Sequence, residues 1–343
     1  MGLWTDMAKN RLLKKHLKRA FFLCTRYPLE FVGTVFFCAF FRLLPLDWAS
    51  AIGGWLGRHI GPHIRVSWVA RYNLMKAFPE KTPAEIDEIV VKMWDNLVRT
   101  FVEYPHLRWL CSHYDDRIEF VNFKEAENLR DDGKAGMVFS AHIGNWEVSS
   151  VFGVKAGIPL HRIYRQANNP YVEWVFRYFR QKIPGILVPK GTNGFRQIVD
   201  LLRKDGHSAF LIDQKMNEGI SVNLFGYPAM TTPSLASLAL KHGYPAVPIR
   251  SQRLKGAHYR LTFEPPLQIE KTGDTREDIR RYMEKANQIL ERWIRDDPSQ
   301  WLWVHKRWPD SKKWQQLYRQ RDLWKKGIKP AEVYEAAIAN RQK

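Results

Sequence analysis

From Met137 to Ile212 short strand-like runs alternate with segments of helical periodicity, a pattern that few folds accommodate. Met137-Val-Phe-Ser140 reads as a buried strand, and His161-Arg-Ile-Tyr164, Ile186-Leu-Val188 and Ala209-Phe-Leu-Ile212 read as further strands. Helical patterns over Asn145 to Val154, Pro170 to Lys182 and Gly194 to Lys204 separate them, the last closed by Gly206. Repeated βα units predict a mainly parallel sheet covered on both faces. A helix from Pro233 to His242 then leads to Ala246-Val-Pro-Ile249 and, through Lys255-Gly256, to Tyr259-Arg-Leu-Thr-Phe263, which reads as an antiparallel addition at the sheet edge. Arg276 to Arg295 is a long amphipathic helix. Upstream, from Trp48 to about Tyr114, the pattern is helical. Thr82, with Pro83 at the first helical position and Glu85 three residues after Thr82, marks a capping-box start for a helix of about 15 residues. The expected class is α/β: a central, mostly parallel sheet flanked by helices, preceded by a membrane-associated N-terminal helix.

By composition the 343 residues divide into a basic amphipathic segment plus hydrophobic anchor (1–47), a main domain (48–309) and a basic, helical C-terminal extension (310–343). In the first part, Leu13, Leu17, Ala20, Phe21 and Cys24 share one helical face, opposite Arg11, Lys14, Lys15, Lys18 and Arg19. Such a helix suits an anionic headgroup surface, or an ordinary protein surface. Phe31 to Phe41 is uncharged and apolar, and Arg42 interrupts it before Leu43-Leu44-Pro45-Leu46. Because a span needs about 20 apolar residues, the run is a short anchor helped by Arg42, a helix lying half in the bilayer, or a signal segment ending at Ala49-Ser50-Ala51. The long basic stretch before the run argues against the signal and, for a retained anchor, predicts a cytoplasmic N-terminus.

Lys plus Arg number 54 against 35 Asp plus Glu, a net charge of +19, which directs attention to anionic partners such as nucleic acid or an acidic membrane. The three cysteines, Cys24, Cys38 and Cys111, have neither a CxxC nor a Cys/His ligand spacing, so neither a disulfide framework nor a zinc site is expected.

In an α/β sheet, ligands gather at the carboxyl ends of the strands. The first such exit, Ser140-Ala-His142-Ile-Gly144-Asn145-Trp146-Glu147, places a histidine in a loop and a glutamate in the following turn. On a continuous helix their side chains would diverge by about 140°. A loop at His142 lets the chain fold back so that Glu147 meets the imidazole, making His142 a general base for an alcohol or thiol. A packed histidine in a strand-end turn is the plainer alternative. The same spacing recurs at His305 and Asp310, where Pro309 and the cations Lys306 and Arg307 look more like an anion contact. Arg165, with Asn168 and Asn169 before Pro170, suits a phosphate or a developing oxyanion, or forms a salt bridge. Backbone N–H groups near Gly144 and Asn145 are further oxyanion candidates. Asp213 and Lys215 place both charges at one strand end, commonly a local ion pair. Trp301-Leu-Trp303-Val-His305-Lys306-Arg307-Trp308 interleaves aromatics and cations, a pattern that suits base stacking or a lipid interface. Ser149 and Ser150 lack a G-x-S-x-G setting, and no phosphate-binding or dinucleotide fingerprint occurs.

In order and spacing, these segments resemble a known family. Arg71-Tyr-Asn-Leu74, Ala77-Phe78-Pro79, Met93-Trp-Asp-Asn96, Ser140 to Glu147, Tyr164-Arg165, Asn168-Asn169-Pro170, Asp213-Gln-Lys215, Phe225-Gly226 and Gln300 to Trp308 together are similar to the bacterial lipid A biosynthesis (late) acyltransferases of the lysophospholipid acyltransferase superfamily. The Asp-Gln-Lys and Trp-x-x-His-Lys-Arg-Trp forms look most like the alphaproteobacterial branch, which includes enzymes adding very long secondary chains. The resemblance implies an acyl-carrier-protein thioester as donor and a Kdo-bearing lipid A precursor as acceptor, at the cytoplasmic face of the inner membrane. It implies His142 and Glu147 as the residues of acyl transfer, substrate or oxyanion contacts among Arg165, Gly144, Asn145, Asn168, Asp213, Lys215, His305, Lys306 and Arg307, and neither a metal nor a redox cofactor. The net charge then answers to the acidic carrier, the phosphorylated acceptor and the membrane surface, not to nucleic acid. The tail after Trp308 is longer than the family pattern. Two other readings compete: the same fold acting on a lysophospholipid, aminolipid or other glycolipid, and a basic membrane- or nucleic-acid-binding protein in which His142 and Glu147 are structural.

Overall fold

The computed structural model describes residues 22–181 and 183–339. Nine strands occur among them: β1 (Ile118–Val121), β2 (Gly136–Ser140), β3 (Leu160–Tyr164), β4 (Leu187–Pro189), β5 (His207–Leu211), β6 (Ile220–Leu224), β7 (Tyr227–Thr231), β8 (Ala246–Arg253) and β9 (Tyr259–Phe263). Seven form one sheet in the order β1-β9-β8-β2-β5-β3-β4. Every neighbouring pair is parallel except β8 and β9. All five residues of β2 are buried, as expected for a strand covered on both faces.

The α/β expectation holds, with instructive differences. The antiparallel β9 is not the edge, because β1 pairs with it in parallel beyond. Neither β1 nor the separate β6–β7 hairpin was foreseen. Asn145 to Val154 is not a continuous helix: a tight turn at Val148–Ser150 precedes a short helix at Phe152–Ala156. Gly144 sits at φ +57, and a Cβ there would lie 2.3 Å from the Ser251 carbonyl oxygen, so the chain turns where only glycine fits. The capping box at Thr82 and Glu85 is present, and its helix extends further, over Pro83–Glu103.

The basic segment before Phe22 lies outside the described residues. Helix Tyr27–Leu43 packs on helix Pro170–Arg180 through Phe31, Tyr171 and Trp174. Asn169 pins the two together: its Oδ1 accepts from the N–H groups of Tyr171 and Val172, and its Nδ2 donates to the Tyr27 carbonyl and to Glu30. No helix among the described residues is long and apolar enough to cross a membrane. Ala49 and Ser50 lie inside helix Leu46–Ile60, and Ser50 donates to the buried Glu103. At the other end, Trp314, Leu317, Trp324, Val333 and Ala337 join the main core, and buried Lys76 pairs with Asp310. The C-terminal segment is thus packed against helix Ser67–Ala77.

Candidate active site

Parallel pairing of β2 with β5 brings Ser140 opposite Leu211. Two residues past each strand end stand His142 and Asp213, which the pairing places side by side. Asp213 Oδ1 accepts from His142 Nδ1 at 2.8 Å, and Oδ2 accepts from the His142 backbone N–H at 2.9 Å. Trp301 Nε1 donates to the same Oδ2 at 2.8 Å. Burial alone would raise the Asp213 carboxyl; the charge and hydrogen bonds of His142 outweigh it and hold the group well below the usual carboxylate range. With Nδ1 committed to Asp213, the lone pair at Nε2 accepts from Gln214 Nε2 at 3.1 Å.

Glu147 does not meet the His142 imidazole, as the loop reading expected. Its carboxylate accepts from Arg180 Nη2 at 2.8 Å, from Trp146 Nε1 at 3.2 Å and from the Tyr104 hydroxyl. Burial would raise this carboxyl, but the Arg180 charge and these donors leave it lowered. Arg180 also donates to the Tyr104 hydroxyl at 2.6 Å. The partner of His142 is therefore Asp213, while Glu147 belongs to a neighbouring buried cluster.

Both clusters border one cavity of about 1010 Å³ at the carboxyl ends of β2, β3, β4 and β5. Arg165, Asn168, Lys215 and His305 of the sequence-derived set line it as well. Arg165 and Lys215 have no ion pair among the described residues, in contrast to the local pairs weighed from sequence. The His305 ring centroid lies 5.3 Å from that of His142, and its Nε2 is buried without a partner among the described residues. Burial and the neighbouring His142 push the His305 imidazole down to about 4.

Three candidates sit elsewhere, and a fourth in part. The Gly144 N–H is already donated to the Gln300 carbonyl at 3.0 Å and is not free for an oxyanion. The Asn145 side chain is turned away, donating to buried Glu103 at 2.8 Å, so of this residue only the backbone N–H stays a candidate. Arg307 is fully buried, donating to the Met230 carbonyl and Thr231 Oγ1, and desolvation lowers it to about 10. Lys306 is exposed and does not border the cavity. Nor do His305 and Asp310 pair: Asp310 accepts from Lys76 and Tyr72. The tryptophans of the Gln300 to Trp308 segment are core residues, Trp301, Trp303 and Trp308 each at most 1% exposed, so they form neither a stacking platform nor a lipid interface. The segment instead straps the His142 loop: Ile143 bridges Trp301, and Leu302 donates to the His142 carbonyl.

Sequence reasoning missed three contributors. Ser140 Oγ is buried in the cavity wall without a partner among the described residues, Arg180 holds Glu147, and Lys190 stands at the end of β4. Position at a strand exit was the available signal for Ser140 and Lys190; none marked Arg180.

Fold and cavity together define an α/β protein whose ligand space opens at the carboxyl ends of parallel strands, with a histidine–carboxylate pair at its border. The chain belongs to the bacterial lipid A biosynthesis acyltransferase family, whose profile matches residues 15–310. The lipid A biosynthesis palmitoleoyltransferase of Escherichia coli is 25% identical over 296 residues, covering 83% of this chain and 92% of its own length. A lipid A biosynthesis acyltransferase of Haemophilus influenzae is 22% identical over 275 residues, covering 79% and 84%. Lipid A biosynthesis acyltransferase 2 of Shigella flexneri is 23% identical over 262 residues, covering 75% and 81%. Family membership makes this protein an acyltransferase acting in lipid A biosynthesis on a lipid A-type acceptor.

Proposed function

We propose that the enzyme moves a fatty acyl chain from an acyl-carrier-protein thioester to a hydroxyl of a Kdo-bearing lipid A precursor, with His142 as general base. The observation that carries this reading is the His142–Asp213 pair beside the cavity. Asp213 fixes the tautomer that leaves Nε2 basic, and its charge stabilises the imidazolium that forms. The acceptor hydroxyl takes the place of the Gln214 amide at Nε2. As Nε2 removes its proton, the oxygen attacks the thioester carbonyl; the tetrahedral intermediate then collapses, the C–S bond breaks, and the imidazolium returns the proton to the departing thiolate.

The oxyanion needs donors aimed at it. Ser140 Oγ and His305 Nε2 are buried polar atoms of the cavity border without partners among the described residues, and Arg165 adds a nearby cation. Glu147 acts as a positioning residue, holding Arg180 and Tyr104 in the wall. Asn168 and Lys215 contact substrate at the rim.

The site of action in this reading is the cytoplasmic face of the inner membrane. Leu29, Val32, Phe36, Phe40 and Leu43 on helix Tyr27–Leu43 are exposed, as are Trp174 and Tyr178 on the helix packed against it. Phe36 is 72% and Leu43 86% exposed, a continuous apolar and aromatic face of the kind that lies in a lipid interface.

The decisive experiment is mass spectrometry of lipid A from a Gram-negative host lacking its own secondary acyltransferases and expressing the parent or His142→Ala. One added acyl group with the parent and none with the variant is expected. Unchanged lipid A despite well-expressed parent would overturn the acceptor assignment, and newly acylated phospholipids or aminolipids in the same extracts would name the replacement.

A further inference from the structure

The cavity has a positively charged rim, of which the acyl-transfer reading uses Arg165 and Lys215 but gives Lys190 no part. Arg165, Lys190 and Lys215 follow three adjacent parallel strands, β3, β4 and β5, and all border the cavity. None of the three has a side-chain ion pair or hydrogen bond among the described residues. The other arginines of the lining are engaged, Arg180 with Glu147 and Arg162 with the Arg180 and Ile183 carbonyls.

Register sets the first two side by side. Tyr164 pairs with Pro189, and the Lys190 N–H donates to the Tyr164 carbonyl at 2.8 Å, so Arg165 and Lys190 leave the sheet together. Gly191 then adopts φ +138, and helix Thr192–Leu202 begins without a side-chain cap. Gly191 and Thr192 border the same cavity, and a Cβ at Gly191 would meet nothing within 4 Å. The unclaimed N–H groups of that first turn therefore open onto the space the lysine reaches. Among the carboxylates of the lining, Glu147 is held by Arg180 and Glu173 accepts from Tyr164 and Ala167, which leaves Glu218 as the opposing charge without an ion pair among the described residues.

We infer that Lys190, with Arg165, Lys215 and the start of helix Thr192–Leu202, binds a phosphate group of a substrate. Lysines supply the charge, and an uncapped helix start supplies aligned donors for a tetrahedral oxyanion. The inference rests on the acyl-transfer reading and has two chemical sources: a phosphate of the glycolipid acceptor, or the phosphodiester of the carrier protein's prosthetic arm.

The test compares matched substrates, using the full chain in mixed micelles. The acceptor pair is the bisphosphorylated disaccharide lipid and its dephosphorylated counterpart; the donor pair is acyl-4′-phosphopantetheine and acyl-pantetheine. For each pair the ratio of kcat/KM, phosphorylated over not, is measured for the parent, Lys190→Gln and Lys190→Glu. Loss of a charge-assisted contact lowers that ratio by about 10- to 100-fold for one pair, which identifies the source. A ratio unchanged in both variants for both pairs overturns the inference. If the parent turns over none of these substrates, the acyl-transfer reading has failed, and the rim is judged by ³¹P line broadening of decyl phosphate: broadening abolished by Lys190→Glu supports it, and equal broadening in both proteins overturns it.

Discussion

Asp213 grips His142 twice, at Nδ1 with one carboxylate oxygen and at the backbone N–H with the other, so ring and main chain are fixed by a single group 71 residues away. Trp301 donates to the second oxygen, and nothing in the pair is left to rotate freely.

Asp213→Asn and Glu147→Gln separate the two carboxylates. Asparagine at 213 no longer fixes the tautomer or balances the imidazolium, and turnover falls by roughly 10³- to 10⁴-fold. Glutamine at 147 loosens Arg180 and Tyr104 in the wall and costs about 100-fold. The kcat–pH profile distinguishes them: its acid limb shifts in Asp213→Asn and stays in Glu147→Gln. An equal shift in both would give Glu147 the orienting role.

His305 makes stability depend on pH. Its folded value of about 4 lies below the unfolded value of about 6.5, so the unfolded chain binds the extra proton between them. The contribution is fully present above pH 6.5 and is lost as pH falls towards 4. His106 and His161 are lowered by burial in the same sense, so the His305 share is read as the difference between parent and His305→Asn. Urea midpoints at pH 7 and pH 5 should fall more for the parent than for the variant.

Glu103 and Arg253 form a fully buried pair at 2.6 Å, joined by Tyr259 and by the Asn145 amide of the His142 loop. Arg253→Met strands a buried carboxylate and costs about 3–5 kcal/mol. The double variant Arg253→Met with Glu103→Leu should recover part of that loss in equilibrium unfolding. A single variant as stable as the parent would contradict the argument.

At Gly144 a methyl group meets both a left-handed backbone and the Ser251 carbonyl. Gly144→Ala should lower the melting temperature and displace the loop that carries His142, reducing turnover even in the folded fraction. A parent-like melting curve would show that the loop has room to adjust.

On the apolar face, Phe36→Asp together with Phe40→Asp should reduce co-flotation with anionic vesicles while leaving the circular dichroism spectrum unchanged, because both side chains are exposed. Undiminished flotation would move the contact elsewhere on the chain.

Much of the sheet was legible because β2, β4 and β5 carry short apolar runs bounded by helical periodicity, a pattern that buried parallel strands impose on sequence, and β3 stands between two such helical segments. The β6–β7 hairpin also carried a signal. Ile220, Val222 and Leu224 alternate with Ser221 and Asn223 before the two-residue turn Phe225-Gly226, whose φ angles of +56 and +75 are those of a tight hairpin. Phenylalanine in a left-handed turn hid it, a strain tolerated because the ring packs against Phe78, Trp303 and Trp308. β1 offered four residues with a glutamate among them, too short a run to stand out.

The βα frame, the family and the histidine at the first strand exit were readable in the chain, since periodicity and local spacing are properties of neighbouring residues. Which carboxylate reaches that histidine was decided only by tertiary structure. Pairing of β2 with β5 carries Asp213 across 71 residues to His142, while Arg180, arriving from another helix, holds Glu147 aside. Burial likewise turned the aromatic–cationic segment from a candidate interface into a strap, because three tryptophans and Arg307 find their partners in the core.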